Sequence, residues 1–265
     1  FSKVIGSKGD MVDTLFADFR NRLNSAKKLK SKNFIPAIAI HSPYSVHPFL
    51  VRETLNLARA ENLAVSSHFL ESPEEFAWLH KDEGSFLDFF KNFLGQEKAV
   101  STPMEFLNLF SNIKNLSFTH CVEASEADLE KIRNLGASIN HCVTSNRILN
   151  NSKLDLSKLE DIPFTIGTDG LSSNNSLSMF DELRNALMVH YEKNVIDFSN
   201  ILLKAATLNG ARALGLNKGT LQKEFDADMI TFTLPDEVED VEDLCMQIIL
   251  HTKFVDKTII GGEFV

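Results

Sequence analysis

The chain is short of the features that announce several binding classes. Its three cysteines, Cys121, Cys142 and Cys245, are too few and too scattered among 265 residues for a disulfide framework or a cysteine-built zinc site, and they point to a reducing compartment. No run of about eighteen apolar residues occurs, nor a charged, then apolar, then small-residue leader, so the expectation is a soluble, cytoplasmic protein. Basic charge is in deficit: 27 Lys and Arg against 36 Asp and Glu give a net charge of -9 and a pI near 5.4. A field of that sign repels phosphates, which argues against nucleic acid or an anionic membrane as partner and leaves small neutral or cationic ligands. Neither G-x-G-x-x-G nor G-x-x-x-x-G-K-[ST] is present, so no loop marks a nucleotide-phosphate site. The chain also begins with Phe1, inside "FSKVIGS", which reads as a strand end; the expectation is that an upstream segment is missing.

What is present is an alternation of short apolar runs with amphipathic stretches. Five runs, centred near residues 37, 65, 118, 139 and 165, read as buried strands. Between them lie segments of helical spacing, the first over 11–30 with Val12, Leu15, Phe16, Phe19 and Leu23 on one face. Ser72-Pro73-Glu74-Glu75 and Thr102-Pro103-Met104-Glu105 have the form of helix starts, with an N-cap hydroxyl, proline at N1 and glutamate at N3. Strands alternating with helices predict parallel βαβ units, as an open doubly wound sheet or as part of an eight-stranded barrel. Phe86, Phe89, Phe90 and Phe93 make one apolar stripe on a longer connection, a core face or a candidate homodimer surface. The tail, with "ADMITFTL" and "KTIIGGEFV" around a helical "DLCMQIIL", carries two further β-like pieces.

His41, His68, His120, His141 and Asp169 each fall at or just past the end of one of the five strands. That edge is where α/β enzymes assemble their sites, because the loops there converge. Imidazole and carboxylate together suit zinc or ferrous iron, which lowers the pKa of a bound water toward about 7. Such chemistry needs a proton carrier close by, and Glu71, three residues beyond His68 in "HFLE", can supply it.

The succession "HSPYS", "SSHFLE", "FTHC", "NHCVTSN" and "GTDGLSSNNSLSMFDELR" resembles the amidohydrolase superfamily, in the branch of adenosine-type and S-adenosylhomocysteine/methylthioadenosine deaminases that also holds the triazine hydrolases. Within it the chain most resembles the aminofutalosine deaminases of menaquinone biosynthesis, essentially end to end. The resemblance implies a metal-dependent (β/α)8 TIM-type barrel, N-terminally truncated here over residues 1–217, with the C-terminal part of a small β-sandwich domain over 218–265. It implies a divalent cation, zinc first and iron second, held by His68 and Asp169; Glu71 as general acid/base; His120 orienting the attacking water; and His41 and Ser173, with Glu71, contacting a purine-like small-molecule substrate. His141 and Asn146 match a turn of structural role. The implied activity is hydrolytic deamination, with triazine hydrolysis as the nearest alternative and a non-catalytic paralogue or an inactive fragment as the alternative of another class.

The family's metal site also uses a His-x-His pair on the first barrel strand, and no H-x-H occurs in these residues. The expectation is that the pair lies upstream of Phe1 and that this piece alone is inactive. A second departure is Glu224 in "GTLQKEFDAD", where the family's turn has glycine.

Overall fold

The computed structural model describes residues 1–265. In chain order the elements are β1 (Ser2–Val4), α1 (Val12–Lys28), β2 (Ile38–Ile40), α2 (Pro48–Glu61), β3 (Val65–Phe69), α3 (Pro73–Lys81), α4 (Ser85–Leu94), α5 (Pro103–Asn108), β4 (Leu116–His120), α6 (Glu126–Asn134), β5 (Ser138–His141), α7 (Val143–Ile148), β6 (Phe164–Ile166), α8 (Met179–Val189), α9 (Val195–Lys204), α10 (Gly210–Ala213), β7 (Met229–Thr231), α11 (Leu244–His251), β8 (Lys257–Ile260) and β9 (Glu263–Phe264). Strands β1 to β6 form one six-stranded sheet in chain order, and β7 to β9 a separate three-stranded sheet. The parallel registers Ser2↔Ile38, Ile38↔Val65 and Val65↔Leu116 bear out the βαβ reading for the first four strands. The sequence reading counted five strands; the sixth is β1, which lies in the "FSKVIGS" stretch read there as a strand end. No helix is long and apolar enough to cross a membrane.

The chain divides into two compact units, one of residues 1–139 with 154–162 and one of 140–153 with 163–265. In the first unit the helix boundaries follow from local chemistry. Ser72 and Thr102 accept hydrogen bonds from the N–H groups of Glu75 and Glu105, with proline following each, as their sequences predicted. Asn62 (φ 51) and Asp82 (φ 55) take the left-handed conformation that closes α2 and α3. Phe69, Phe106, Phe110 and Phe118 are fully buried and meet ring to ring, with centroids 5.0–6.4 Å apart. Burying each such ring stabilises the fold by about 1.5–3 kcal/mol.

The second unit holds the tail as an antiparallel sheet, β7 on β8 and β8 on β9. Helix α9 runs through a π-helical stretch, Ala205–Asn209, into α10. Glu224, at the family's glycine position, has φ 75. The turn therefore keeps the left-handed backbone that glycine adopts freely, and a side chain there is strained.

Candidate active site

Candidate residues gather within each unit. In the first, parallel neighbours about 4.8 Å apart end at one level, so residues at the same end of adjacent strands meet. His68 donates its N–H to the carbonyl of His41 at 2.9 Å, and Phe69 pairs with His120 in the register of β3 and β4. The rings follow: His41 to His68 and His68 to His120 are each 5.3 Å between centroids. His120 is fully buried, and its Nε2 lies 3.6 Å from Oε2 of Glu71. The chain reaches this arrangement through left-handed residues, Leu70 (φ 45) after β3 and His120 (φ 72) with Cys121 (φ 55) at the end of β4. Three non-glycine residues in that region mark a backbone held by its surroundings, as functional loops often are.

The ring of His41 is fixed at Nδ1, which lies 2.5 Å from Oγ of Ser45 and 3.2 Å from Oγ of Ser42. Tyr44 stands edge-on to His41 and meets Phe86 at 4.8 Å and Phe90 at 6.2 Å, so the Phe stripe of α4 contributes two rings to this wall. Phe90 is buried and stacks on Trp78 at 5.3 Å, whereas Phe89 and Phe93 are exposed. Burial, and then the charge of Glu75, pushes the Tyr44 phenol up to about 12. Burial also holds the Cys121 thiol well above its ordinary range, so this neighbour of His120 is a packing residue rather than a nucleophile.

In the second unit Asp169 follows β6 with φ 57. Its Oδ2 accepts from Oγ of Ser145 at 2.8 Å and lies 3.3 Å from Oγ of Ser173, while Oδ1 accepts from the N–H of Gly170 at 2.7 Å. Ser173 is buried, with its hydroxyl 2.8 Å from that of Ser145. A Cβ at Gly167 would lie 2.6 Å from the side-chain amide of Asn140, which would have to move to admit it. His141 is fully buried, its Nε2 3.0 Å from Nε2 of His190, which burial holds below the usual histidine range. Asn146 is buried in α7.

Sequence reasoning gave no role at the site to Glu75, Ser145, Glu182 or His190. Glu182 is buried on α8 and accepts from the N–H of Thr144 at 2.9 Å and from Nδ2 of Asn174 at 3.2 Å, tying α7 to the 168–174 loop. Its signal was available: a carboxylate on the helix face that also carries Leu183, Ala186 and Leu187. Glu75 was visible only as a capping residue.

Comparison with known proteins places these residues in context. The sequence profile of the Amidohydrolase family matches residues 8–265. The chain is 44% identical over 263 residues to an aminodeoxyfutalosine deaminase of a Nitratiruptor species, covering 99% of this chain and 65% of that protein. It is 33% identical over 252 residues to an adenosine deaminase of Helicobacter pylori, covering 92% of this chain and 61% of that protein. The crystal structure of Helicobacter pylori aminofutalosine deaminase in complex with methylthio-coformycin superposes with a TM-score of 0.92 at 31% identity, over 99% of this chain and 65% of that one. The chain thus spans just under two thirds of the length of these relatives. By the extent of these matches, the chain belongs to the amidohydrolase family.

Proposed function

We propose that the protein carrying this chain is a metal-dependent hydrolytic deaminase of an aminopurine nucleoside-like substrate, aminodeoxyfutalosine before methylthioadenosine, S-adenosylhomocysteine or adenosine. The observation that carries the reading is the pair Glu71 and His120, 3.6 Å apart beside His68, in a chain 44% identical to an aminodeoxyfutalosine deaminase. Menaquinone biosynthesis is the setting that this substrate implies. The sheet β1 to β6 is read as part of a (β/α)8 barrel and β7 to β9 as part of the accessory β-sandwich, on the strength of the family match and the TM-score.

By the family resemblance His68 supplies an imidazole and Asp169 a carboxylate, ligand types that suit zinc or ferrous iron. His68 and Asp169 are assigned as ligands, and His120 as the group that orients water. A divalent cation held by these residues would supply Lewis acidity that makes water nucleophilic at neutral pH. Glu71 takes a proton from the attacking water as the C–O bond forms and passes it to the ring nitrogen as the ring C=N bond opens; the remaining hydroxyl proton then goes by way of Glu71 to the amino nitrogen as the C–N bond breaks, the C=O bond forms and ammonia leaves. His120 donates to the developing oxyanion. His41, held by Ser42 and Ser45, and Ser173 are assigned to the substrate, and the exposed Phe89 and Phe93 to a homodimer surface.

The test is ammonia release by the metal-loaded full-length protein from aminodeoxyfutalosine, methylthioadenosine, adenosine and a chlorotriazine. Turnover highest on a purine nucleoside supports the reading. Turnover of the triazine alone, or of none of them, overturns it.

A further inference from the structure

We infer that Glu75 is the positioning residue for Glu71, holding the turn after β3 from which Glu71 reaches His120; the inference rests on reading Glu71 as the proton carrier. The first unit contains three helix starts with a hydroxyl at the N-cap and an acid three residues on. In two of them the acid closes the capping box: the N–H of Thr102 donates to Glu105 at 2.9 Å and that of Ser125 to Asp128 at 3.0 Å. At the third, Ser72 caps Glu75 through its hydroxyl, but the carboxylate of Glu75 accepts from the N–H of Glu71 at 2.8 Å instead. It also accepts from the backbone of Leu70. The carboxylate has moved one residue upstream, off the cap and onto the two residues that form the turn.

That displacement has a structural counterpart. Leu70 has φ 45, a conformation that a leucine adopts only when its neighbours hold it. Glu75 is 1% exposed, and its Oε1 has no hydrogen-bond partner. Burial by itself does not set Glu75 apart, since Asp128 closes its capping box when buried and Glu105 does so at the surface; the choice of partner does. Burial pushes the Glu75 carboxyl up to about 8, so it is held largely as the neutral acid at neutral pH. A buried acid with one unmatched oxygen is unfavourable in itself, and here it coincides with strain and with the segment that presents Glu71. A shift of about 1 Å in a reacting group can cost about 10²-fold in rate, so this turn is where positional control matters.

The test is a double-mutant cycle in the metal-loaded full-length protein, reading kcat and KM for deamination. Glu75→Met removes the acceptor at similar volume and is expected to lower kcat by about 10- to 100-fold with KM within about 3-fold, while Glu75→Gln, which keeps an acceptor oxygen, restores kcat to within about 3-fold. In a Glu71→Gln background the Glu75→Met change is expected to alter the residual kcat by less than about 3-fold, because the group it positions is gone. An equal loss in both backgrounds, or no loss in either, overturns the inference. If Glu75→Met does not fold, Glu75→Asp, one methylene shorter, serves in the same cycle with the same outcomes. A Glu71→Gln protein with undiminished kcat defeats the proton-carrier reading itself, and this is read from the single variant without reference to Glu75.

Discussion

The imidazole of His120 and the carboxylate of Glu71 come within 3.6 Å of each other, the first fully buried and the second 20% exposed. One partner is locked in the protein and the other keeps access to solvent and ligand, an arrangement suited to passing a proton across a reacting centre. Glu71→Gln keeps size and polarity but removes the titrating group. It is expected to lower kcat about 10²- to 10⁴-fold while leaving KM within a few-fold, as measured by ammonia release. A loss confined to KM would make Glu71 a binding residue only.

Removal of metal should be reversible and should depend on the assigned ligands. Dialysis of the full-length protein against a chelator is expected to abolish turnover, and zinc or ferrous iron to restore it. His68→Ala and Asp169→Asn should each reduce the bound metal, read by elemental analysis, whereas Phe93→Ser should leave it stoichiometric. Full metal content in His68→Ala would remove His68 from the ligand set.

Glu75 gives stability a pH dependence whose sign is fixed. Its carboxyl is raised in the folded protein to about 8 from the ordinary 4.5, with burial as the first cause. The folded state therefore binds that proton more tightly than the unfolded state. The resulting contribution is fully present below about pH 4.5 and lost as pH rises through about 8. The charged or titratable groups acting on Glu75 or acted on by it include Glu71, Tyr44 and Cys121. In urea denaturation the wild-type protein, relative to Glu75→Gln, is expected to be more stable at about pH 5 than at about pH 8.5. A difference independent of pH would mean that Glu75 is ionised throughout.

Glu224 holds φ 75 with a side chain attached. Glu224→Gly relieves that strain at the cost of a more flexible unfolded chain, and the folded-state gain of about 1 kcal/mol or more is the larger effect. The expected result is a higher urea midpoint with unchanged turnover. A lower midpoint would show that the Glu224 side chain contributes more than its backbone strain costs.

The ring cluster of β3, β4 and α5 should behave as a rigid core. Phe118 is fully buried between Phe69 and Phe110, with centroids 5.7 and 5.1 Å away. Phe118→Ala is expected to destabilise by about 3–5 kcal/mol in chemical denaturation, through lost transfer energy and a residual cavity. A cost under about 1 kcal/mol would mean that the cluster collapses to fill the space.

Much of this protein was legible in its amino-acid order. Short apolar strands, helical spacing between them and cap residues such as Ser72 and Thr102 are set by interactions within a few residues, so periodicity and local hydrogen bonding reveal them. The placement of His41, His68, His120 and Asp169 at strand ends was legible for the same reason, because a strand's end is a local event. What only the tertiary structure decided depends on neighbours distant in the chain. The meeting of His120 with Glu71 requires β3 and β4 to pair in register across the helices that lie between them in the chain. The bonds of Ser145 to Asp169 and of Glu182 to Thr144 span 24 and 38 residues, a separation at which side-chain type says nothing about partner. Glu75 shows the boundary most clearly: its sequence position specified a helix cap, but in the fold its carboxylate accepts from the N–H of Glu71, a choice of partner that the residue's position in the sequence does not reveal.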